Sequence, residues 1–360
     1  MNRETSIYLD LVRLLAAALV FLSHASWQQN SGGLLWQFTG HGREAVDVFF
    51  VLSGFVIGYA VDGRELTARA YGVNRAARLY SVALPALALT FVLDAIGRSM
   101  RPDLYQGWCC TVSGSEAWQF LGSFVFLNEI WSLHAPPGSD VPYWSLGFEA
   151  LYYAAFGAAW FGGRPWGLIA AAAILLLAGP GIAILFPLWL LGWACYRLCI
   201  VRAPGVGVGF VLIVVSFAGM AANTVWGTRN GELYTAFSLS EYRLHDYGLD
   251  YVSGLLFAMN LVGFRAVSVL FPGRLERVAR PIRWLAGATF TLYLFHQPLI
   301  HVLVAIAPWS ESSWQTRALV FLGVPMIVLV LAELTERRRS LWRDWIMAAI
   351  DLRLFAAGRR

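Results

Sequence analysis

Apolar runs about as long as a membrane is thick recur along this 360-residue chain and decide its fold class. A helix of about 20 apolar residues crosses a hydrocarbon core roughly 30 Å thick. Because 58% of the residues are hydrophobic and only 14% are charged, an ordinary soluble globule is excluded and an all-α polytopic membrane protein is predicted. The ten predicted spans are 8–28, 44–61, 75–97, 143–162, 166–180, 182–200, 207–226, 249–271, 283–305 and 317–336.

A further apolar stretch, residues 117–133, is ambiguous by length. The positive-inside rule separates the two interpretations, because cytoplasmic loops carry an excess of basic residues. If the stretch does not cross, most arginines lie on the cytoplasmic side, and if it crosses, most lie outside. We therefore predict ten spans, both termini in the cytoplasm, and a re-entrant or surface-lying segment near 117–133. Asn128 and Glu129 within it favour an element that lines a polar cavity.

The chain is expected to divide into a membrane domain, residues 1–336, and a basic tail, residues 337–360. Arginines in the tail are spaced among Leu, Trp, Ile and Phe, which predicts an amphipathic helix on the anionic inner leaflet, with a partner-binding helix as the alternative. Basic cytoplasmic loops explain the net charge of +5, so nucleic acid is not an expected partner. The cysteine pairs, Cys109 with Cys110 and Cys195 with Cys199, lack zinc-site spacing to a histidine, so no metal is expected.

Three ionisable residues, Asp10, Arg13 and His24, lie in the first apolar span. An Arg or Asp near the centre of a span costs about 2.5 to 3.5 kcal/mol on insertion scales, so such residues usually mark a functional site. Asp10 precedes Arg13 by three residues and is expected to pair with it, which makes burial of the arginine tolerable. Along a helix, Arg13 and His24 are separated by about 16 Å. With the N-terminus inside, Arg13 lies in the cytoplasmic half and His24 toward the external leaflet.

Polar residues of the next two spans fall at both ends of the predicted bundle. Asp47 is expected near the external end of the second span. Ser53 with Gly54 allows a close helix contact, and pure packing is an equal interpretation of Ser53. Arg75 and Arg78, at the cytoplasmic start of the third span, share a helix face and are suited to clamping phosphate groups. Taken alone, these two arginines are also typical of positive-inside anchors.

Glu149 and His296 are both predicted in the external half of the membrane. A carboxylate one or two turns into an apolar, aromatic helix must find a partner or take up a proton, and His24 at a similar depth is its expected partner. His296 is interpreted either as a site residue or as a hydrogen bonder between helices. Arginines at the cytoplasmic entrance are suited to hold an anionic donor, while a histidine and a carboxylate near the other face are suited to activate a nucleophile.

Five motifs occur in order along the chain, at consistent predicted depths. They are the Arg-x10-His of Arg13 and His24, the block from Val46 to Ile57, the Arg-x-x-Arg of Arg75 and Arg78, the Trp-Ser-Leu-x-x-Glu from Trp144 to Glu149, and the Tyr-Leu-x-His-x-Pro from Tyr293 to Pro298. On these motifs the whole chain resembles the membrane-bound acyltransferase-3 family, whose members O-acylate sugars and other acceptors. It departs from the family pattern at Leu11 and Leu14, where glycines are common, and at Ala150, where a second acid is common. Some members carry an external hydrolase-like domain, whereas this chain is expected to complete transfer within its membrane domain.

The resemblance implies a cytoplasmic acyl-coenzyme A donor, most often acetyl-CoA, and a hydroxyl acceptor. His24 is expected to act as a general base or a covalent acyl relay, with Glu149 orienting it and Arg13 and Asp10 stabilising the site. The residues expected at the donor are Arg75, Arg78, Ser53 and Tyr80. Those expected at the acceptor are Asp47, Asn128, Trp144, Tyr152, Tyr153 and His296, with an interface-belt role as the alternative for Trp144, Tyr152 and Tyr153.

The expected acceptor is a polysaccharide or lipid-linked glycan at the outer face of a bacterial inner membrane, and a succinyl group is an alternative to acetyl. The competing class of function is a transporter or flippase, whose polar residues would line a permeation route. Many transporters show two halves with corresponding broken helices, and the sequence shows no such correspondence. An acyltransferase is therefore the favoured interpretation.

Overall fold

A computed structural model describes residues 2–105, 114–235 and 247–357, without the side chains of 226–235 and 352–357. Cys109 and Cys110 lie outside the described residues. Within those residues every regular element is helical, and eight helices are long and apolar enough to cross a membrane. The predicted all-α polytopic membrane fold is therefore confirmed.

Fifteen α-helices follow one another in the described part of the chain. They are α1 (Arg3–Ala25), α2 (Gln28–Ser31), α3 (Gly42–Gly63), α4 (Ala68–Met100), α5 (Glu116–Phe124), α6 (Trp144–Phe161), α7 (Trp166–Ala178), α8 (Pro180–Val201), α9 (Val206–Thr235), α10 (Tyr247–Val267), α11 (Glu276–Ala286), α12 (Thr289–Ile306), α13 (Trp314–Ala318), α14 (Val324–Leu334) and α15 (Arg339–Ala357). A π-helical turn, Leu319–Gly323, joins α13 to α14. The predicted tail beyond residue 337 is largely the helix α15, which packs against α4.

Each predicted span coincides with a helix, and the last one with α13, the π turn and α14. Two of these helices fall outside the eight that meet the length and hydropathy of a span. The first is α6, which has 18 residues and contains Glu149. The second is α7, whose 13 residues are too few to cross a core roughly 30 Å thick without help.

The ninth span begins later than predicted, at Thr289 rather than at residue 283. The preceding residues form a separate helix, α11, which ends at Ala286 and is capped by Gly287. Three arginines, at positions 277, 280 and 283, recur every three residues on α11 and are exposed. Such a charged face cannot enter an apolar core, so the chain breaks between α11 and α12.

Residues 117–133 do not form a spanning helix. Helix α5 ends at Phe124, and the chain continues as an irregular segment in which Phe126 and Asn128 are buried. The amide of Trp131 donates to the carbonyl of Ala178, the last residue of α7, at 2.9 Å. Phe126 and Trp131 have positive φ angles, which a regular helix excludes. The segment is therefore packed into the protein and does not form a membrane-spanning helix.

Helices α3 and α8 cross in direct backbone contact at two glycines. A Cβ atom on Gly54 would collide with the carbonyl oxygen of Trp189, and one on Gly192 would collide with the carbonyl oxygen of Val51. Small residues at such crossings let helix backbones approach closely. The sequence prediction of a close helix contact at Ser53-Gly54 is confirmed at Gly54.

Gly192→Ala is expected to lower the free energy of unfolding by about 1 to 3 kcal/mol, because the added methyl group forces α3 and α8 apart. The measurement is thermal unfolding of the purified protein in detergent. Gly63→Ala is the matched control, since a Cβ atom at Gly63 on α3 meets nothing within 4 Å. Equal melting temperatures for the two variants would contradict the proposed tight crossing.

The helices that surround the polar residues pack on one another in a closed group. Helix α1 packs against α3, α11 and α12, and α4 packs against α12 and α6. Behind them, α8 covers the far face of α3. Arg13, His24, Arg78, Glu149 and His296, from four of these helices, thus lie in a common interior.

Candidate active site

Two cavities occupy this interior, one above the other along α1. The larger, of about 410 Å³, is lined by the C-terminal end of α1 with His24, the N-terminal end of α3, and the irregular segment before α6. We call it the histidine cavity. The smaller, of about 70 Å³, is lined by Arg13, Arg75 and Arg78 and is called the arginine cavity. The structure thus keeps the arginines and His24 apart, as the spacing on the first span predicts.

His24 pairs with His296 and not with a carboxylate. Its Nδ1 lies 2.9 Å from Nε2 of His296, and the two rings are stacked with centroids 5.0 Å apart. His296 is fully buried in α12, and its Nδ1 lies 2.9 Å from the carbonyl oxygen of Leu292. The three groups form a chain of hydrogen bonds that ends at a backbone carbonyl.

The carbonyl at the end of this chain decides where the hydrogens lie. Because a carbonyl oxygen only accepts, Nδ1 of His296 carries the hydrogen, and Nε2 of a neutral His296 is a bare acceptor. A charged His296 is disfavoured, since an uncompensated cation in such a buried place is costly. Nδ1 of His24 therefore donates to His296, which leaves the lone pair on Nε2 of His24. His24 lines the histidine cavity, so this arrangement presents a base to that space.

The histidine cavity combines aromatic walls with a few polar groups. Trp131 and Trp144 line it together with Tyr247, and Trp27 stands edge-on to His24 with ring centroids 5.0 Å apart. Its volume lies within the range of about 300 to 1,000 Å³ that is usual for small-ligand sites. Trp144, which the sequence analysis predicted at the acceptor, thus lines the same cavity as His24.

Glu129 and His134 add a polar pair to the wall opposite α1. Nδ1 of His134 lies 2.8 Å from a carboxylate oxygen of Glu129, and both side chains line the histidine cavity. The sequence analysis interpreted Glu129 as facing a polar cavity, which is confirmed. His134 was not recognised as a site residue, because its loop position alone gives no sign of the cavity.

Glu149 lies in the arginine cavity, so its predicted pairing with His24 is wrong. Its Oε1 accepts two hydrogen bonds, one from Oγ of Ser53 at 3.0 Å and one from the hydroxyl of Tyr153. The hydroxyls of Ser53 and Tyr153 are themselves 3.2 Å apart. Ser145, one turn earlier on α6, lines the same cavity, whereas Trp144 and Phe148 line the histidine cavity, so the face of α6 on which Glu149 lies places it on the arginine side.

Arg13 is held by two neighbours. Its Nη2 lies 3.4 Å from the carboxylate of Asp10, as predicted, and donates to the carbonyl oxygen of Ala286 at 2.9 Å. Arg283 approaches the other oxygen of Asp10 at 3.7 Å. Arg13 therefore bridges the end of α11 to the arginine cavity.

Glu336 is a residue of the arginine cavity that the sequence analysis missed. Its carboxylate accepts the backbone N–H groups of Phe290 and Thr291 at 2.9 and 3.2 Å, and so caps the N-terminus of α12. It also interacts electrostatically with Arg13 and Arg78. In the sequence, Glu336 is an acid at the end of the last apolar run, which could have indicated a site residue. Because arginines follow it directly, it was assigned to the end of the span next to the basic tail.

Arg75 and Arg78 both line the arginine cavity but differ in their partners. Arg75 donates to the buried Glu65 at 2.6 Å and lies over the rings of Tyr71 and Tyr153. Arg78 faces the carboxylates of Glu149 and Glu336. Arg75 is committed to one ion pair, with Glu65. Arg78 shares the carboxylate of Glu336 with Arg13, so Arg78 is better suited than Arg75 to receive an anionic ligand.

Several residues predicted at the acceptor lie outside the histidine cavity. Tyr152 is fully buried in the core, where its hydroxyl donates to the carbonyl of Ile182. Tyr153 belongs to the arginine cavity. Asp47 is buried beside Asp250 and lines neither cavity. The depth of a residue along its helix does not reveal which face of the helix it lies on, and this explains the corrections.

Two further predictions are corrected by packing. Asn128 is buried, and its amide donates to Glu129 at 3.3 Å, so it supports the cavity wall instead of lining it. Tyr80 donates to the carbonyl of Phe124 at 3.2 Å and packs on the ring of Phe126, outside the arginine cavity. Tyr80 thus anchors the irregular segment and does not line the cavity that contains Arg75 and Arg78.

No group of three His, Cys, Asp or Glu side chains that could hold a metal ion occurs in the described parts of the chain. The polar groups of both cavities are arginine, histidine, hydroxyl and carboxylate. The arrangement can bind an anion on one side and accept a proton on the other.

In a comparison with known protein families, the chain matches the model of an acyltransferase domain over residues 6–347. The chain belongs to the acyltransferase 3 family. The matched region includes both cavities, from Arg13 to Glu336. The resemblance inferred from the five motifs is therefore confirmed.

Two curated proteins resemble the chain over part of its length. The exopolysaccharide production protein ExoZ of Rhizobium meliloti (strain 1021) is 28% identical over 232 residues, which are 55% of this chain and 65% of the relative. The acyltransferase MdmB of Streptomyces mycarofaciens is 29% identical over 153 residues, 40% of this chain and 36% of the relative. The matches thus cover less than two thirds of either relative. No solved structure matches the chain.

Proposed function

We propose that this acyltransferase 3 protein moves an acyl group, most often acetyl, from acyl-coenzyme A to a hydroxyl group of a carbohydrate. The observation that carries the proposal is the pair His24 and His296, which presents a lone pair to the histidine cavity. The arginine cavity on the other side supplies a place for the phosphate-bearing donor. Membership of the acyltransferase 3 family supports the same reaction class.

The donor binds from the arginine side. Coenzyme A has a phosphate-rich head and a narrow pantetheine arm, so Arg78 with Arg13 holds phosphate while the arm runs into the narrow arginine cavity. Ser53 and Tyr153 hold Glu149 at the wall of this cavity. Glu149 thereby balances the arginine charges, in place of the orienting role that the sequence analysis gave it.

In the transfer step, Nε2 of His24 takes the proton of the acceptor hydroxyl as the oxygen attacks the thioester carbonyl. A carbon–oxygen bond forms, the carbon–sulfur bond breaks, and the coenzyme A thiolate leaves. The proton on His24 then passes to the thiolate. The hydrogen bond from Nδ1 to His296 holds the ring in the required tautomer throughout, as the buried partner does in hydrolytic triads.

A covalent relay through an acyl-histidine is the variant within the same class. In that case Nε2 of His24 attacks the thioester and the acceptor hydroxyl removes the acyl group in a second step. Rapid mixing with donor alone, followed by mass spectrometry of the first helix, distinguishes the two routes. Only the relay gives an acylated enzyme without acceptor.

The acceptor occupies the histidine cavity. Trp131 and Trp144 offer flat apolar surface to a sugar ring, and Glu129 with His134 offers hydrogen-bond partners to its hydroxyls. The similarity to ExoZ, an exopolysaccharide production protein, supports a polysaccharide or lipid-linked glycan as the acceptor. We place the protein in the bacterial inner membrane, with both termini cytoplasmic and the histidine cavity toward the outer face.

The direct test uses purified protein in liposomes with isotope-labelled acetyl-CoA and an extract of envelope glycans. We expect label to appear in glycan in an amount equal to the coenzyme A released. Mass spectrometry of glycans from a deletion strain should show the loss of one acyl mass. Movement of glycan across the bilayer without labelling would overturn the proposal in favour of a transporter.

Arg78→Ala is expected to raise the KM for acetyl-CoA about 10- to 100-fold, because one hydrogen bond to a charged group contributes about 1.5 to 3 kcal/mol. The KM for the acceptor should change little. The measurement is initial transfer rates at varied donor and saturating acceptor. Arg98→Ala is the control, since Arg98 lies at the far end of α4 outside both cavities. An unchanged KM for acetyl-CoA would assign Arg78 to membrane topology alone.

A further inference from the structure

The two cavities touch at two side chains. Among the residues that the structure describes, Val46 and Tyr293 are the ones that line both the histidine cavity and the arginine cavity. Both are largely buried, with 4% and 6% of their surfaces exposed. We call these two side chains the partition.

The partition is held rigidly. The hydroxyl of Tyr293 lies 2.8 Å from Oγ of Ser145, and its ring meets Phe49 edge-on with centroids 5.8 Å apart. Val46 is β-branched and lies in α3, where one χ1 rotamer is strongly preferred. Close-packed side chains of this kind do not yield easily to extra volume.

The partition also lies beside the proposed base. Tyr293 precedes His296 by one helical turn on α12, with ring centroids 6.5 Å apart, and His296 bonds to His24. A thioester that enters from the arginine cavity must bring its carbonyl carbon to the acceptor oxygen near His24. The alkyl end of the acyl group then lies against Val46 and Tyr293.

We propose that Val46 and Tyr293 determine the length of the acyl group that the protein transfers. This inference rests on the proposed function and adds a specificity determinant to it. During transfer the carbon–sulfur bond breaks and the carbon–oxygen bond forms with the acyl chain against the partition, so each additional methylene must displace a rigid side chain. One methylene in an apolar pocket changes discrimination by about 10- to 200-fold.

The test compares acetyl-, propionyl- and butyryl-CoA as donors for the full-length protein in liposomes. Val46→Ala removes two methyl groups and is expected to raise the ratio of propionyl to acetyl transfer, as kcat/KM, by about tenfold. Val46→Ile adds a methyl group and should lower the ratio. Tyr293→Phe keeps the ring and should leave the ratio near that of the unmodified protein.

Val56→Ala is the matched control. Val56 also lies on α3 and lines the arginine cavity but not the histidine cavity, so the same truncation there is expected to leave the chain-length ratio unchanged. An unchanged ratio in both Val46 variants, with acetyl transfer intact in the unmodified protein, overturns the inference and leaves the proposed function standing. Absence of transfer from every acyl-CoA by the unmodified protein overturns both. If Val46→Ala does not fold, Val46→Ile alone decides.

Discussion

His24→Ala is expected to lower the rate of acyl transfer by about 10²- to 10⁴-fold, which is the usual contribution of a positioned general base. The variant removes the only imidazole nitrogen that the hydrogen-bond chain presents to the histidine cavity in the described structure. The lost groups face a cavity, so the packing of α1 against α3 and α12 should persist. The measurement is the single-turnover rate of label transfer from acetyl-CoA to glycan.

His41→Ala is the control for this experiment. His41 pairs with Glu44 at 3.2 Å and lines neither cavity, so its loss should leave the rate unchanged. Binding of coenzyme A, measured by calorimetry, should be the same in His24→Ala as in the unmodified protein. A correctly folded His24→Ala protein with full activity would refute the mechanism.

His296→Phe is expected to reduce the transfer rate by about 10²-fold or more, although His296 does not line either cavity. The phenyl ring fills a similar volume but accepts no hydrogen bond. Nδ1 of His24 then loses its imidazole partner, and the remaining contacts with Trp27 and the backbone of Val20 fix the Nε2 lone pair toward the acceptor less firmly. His296 is thus a positioning residue, and its effect should appear in kcat more than in the KM for acetyl-CoA.

His296→Gln separates positioning from packing. The amide oxygen of glutamine can accept a hydrogen bond near the position of Nε2, so this variant should recover at least part of the activity that His296→Phe loses. A purely structural role predicts the opposite order, because phenylalanine resembles the histidine ring more closely in shape. Equal rates for the two variants would remove His296 from the mechanism.

The helical content and the membrane class follow from the sequence because apolar runs are a local property. The position of 117–133 also follows, since the arginine distribution constrains every later loop. The break between α11 and α12 is less apparent, because the apolar residues Trp284 and Leu285 look like the start of the next span. There the exposed arginines of α11 keep Trp284 and Leu285 out of the following span, although these two residues are apolar.

The partners within the site depend on rotation and depth of packed helices, which the sequence does not contain. The pairing of Asp10 with Arg13 was predictable because both lie on one helix at a spacing of three. The pairing of His24 with His296 was not predictable, because it joins residues 272 positions apart on different helices. Depth alone suggested Glu149 as the partner of His24, but Glu149 lies on the face of α6 that lines the other cavity, while its neighbour Phe148 lines the histidine cavity.

Helix α1 runs without interruption from Arg3 to Ala25 and contributes residues to both cavities, Arg13 to one and His24 to the other. The length between Arg13 and His24 is therefore set by helical rise and not by any loop. Inserting or deleting one residue between them would turn His24 by about 100° around the helix, away from His296. The number of residues between Arg13 and His24 is consequently constrained as strictly as the two side chains themselves.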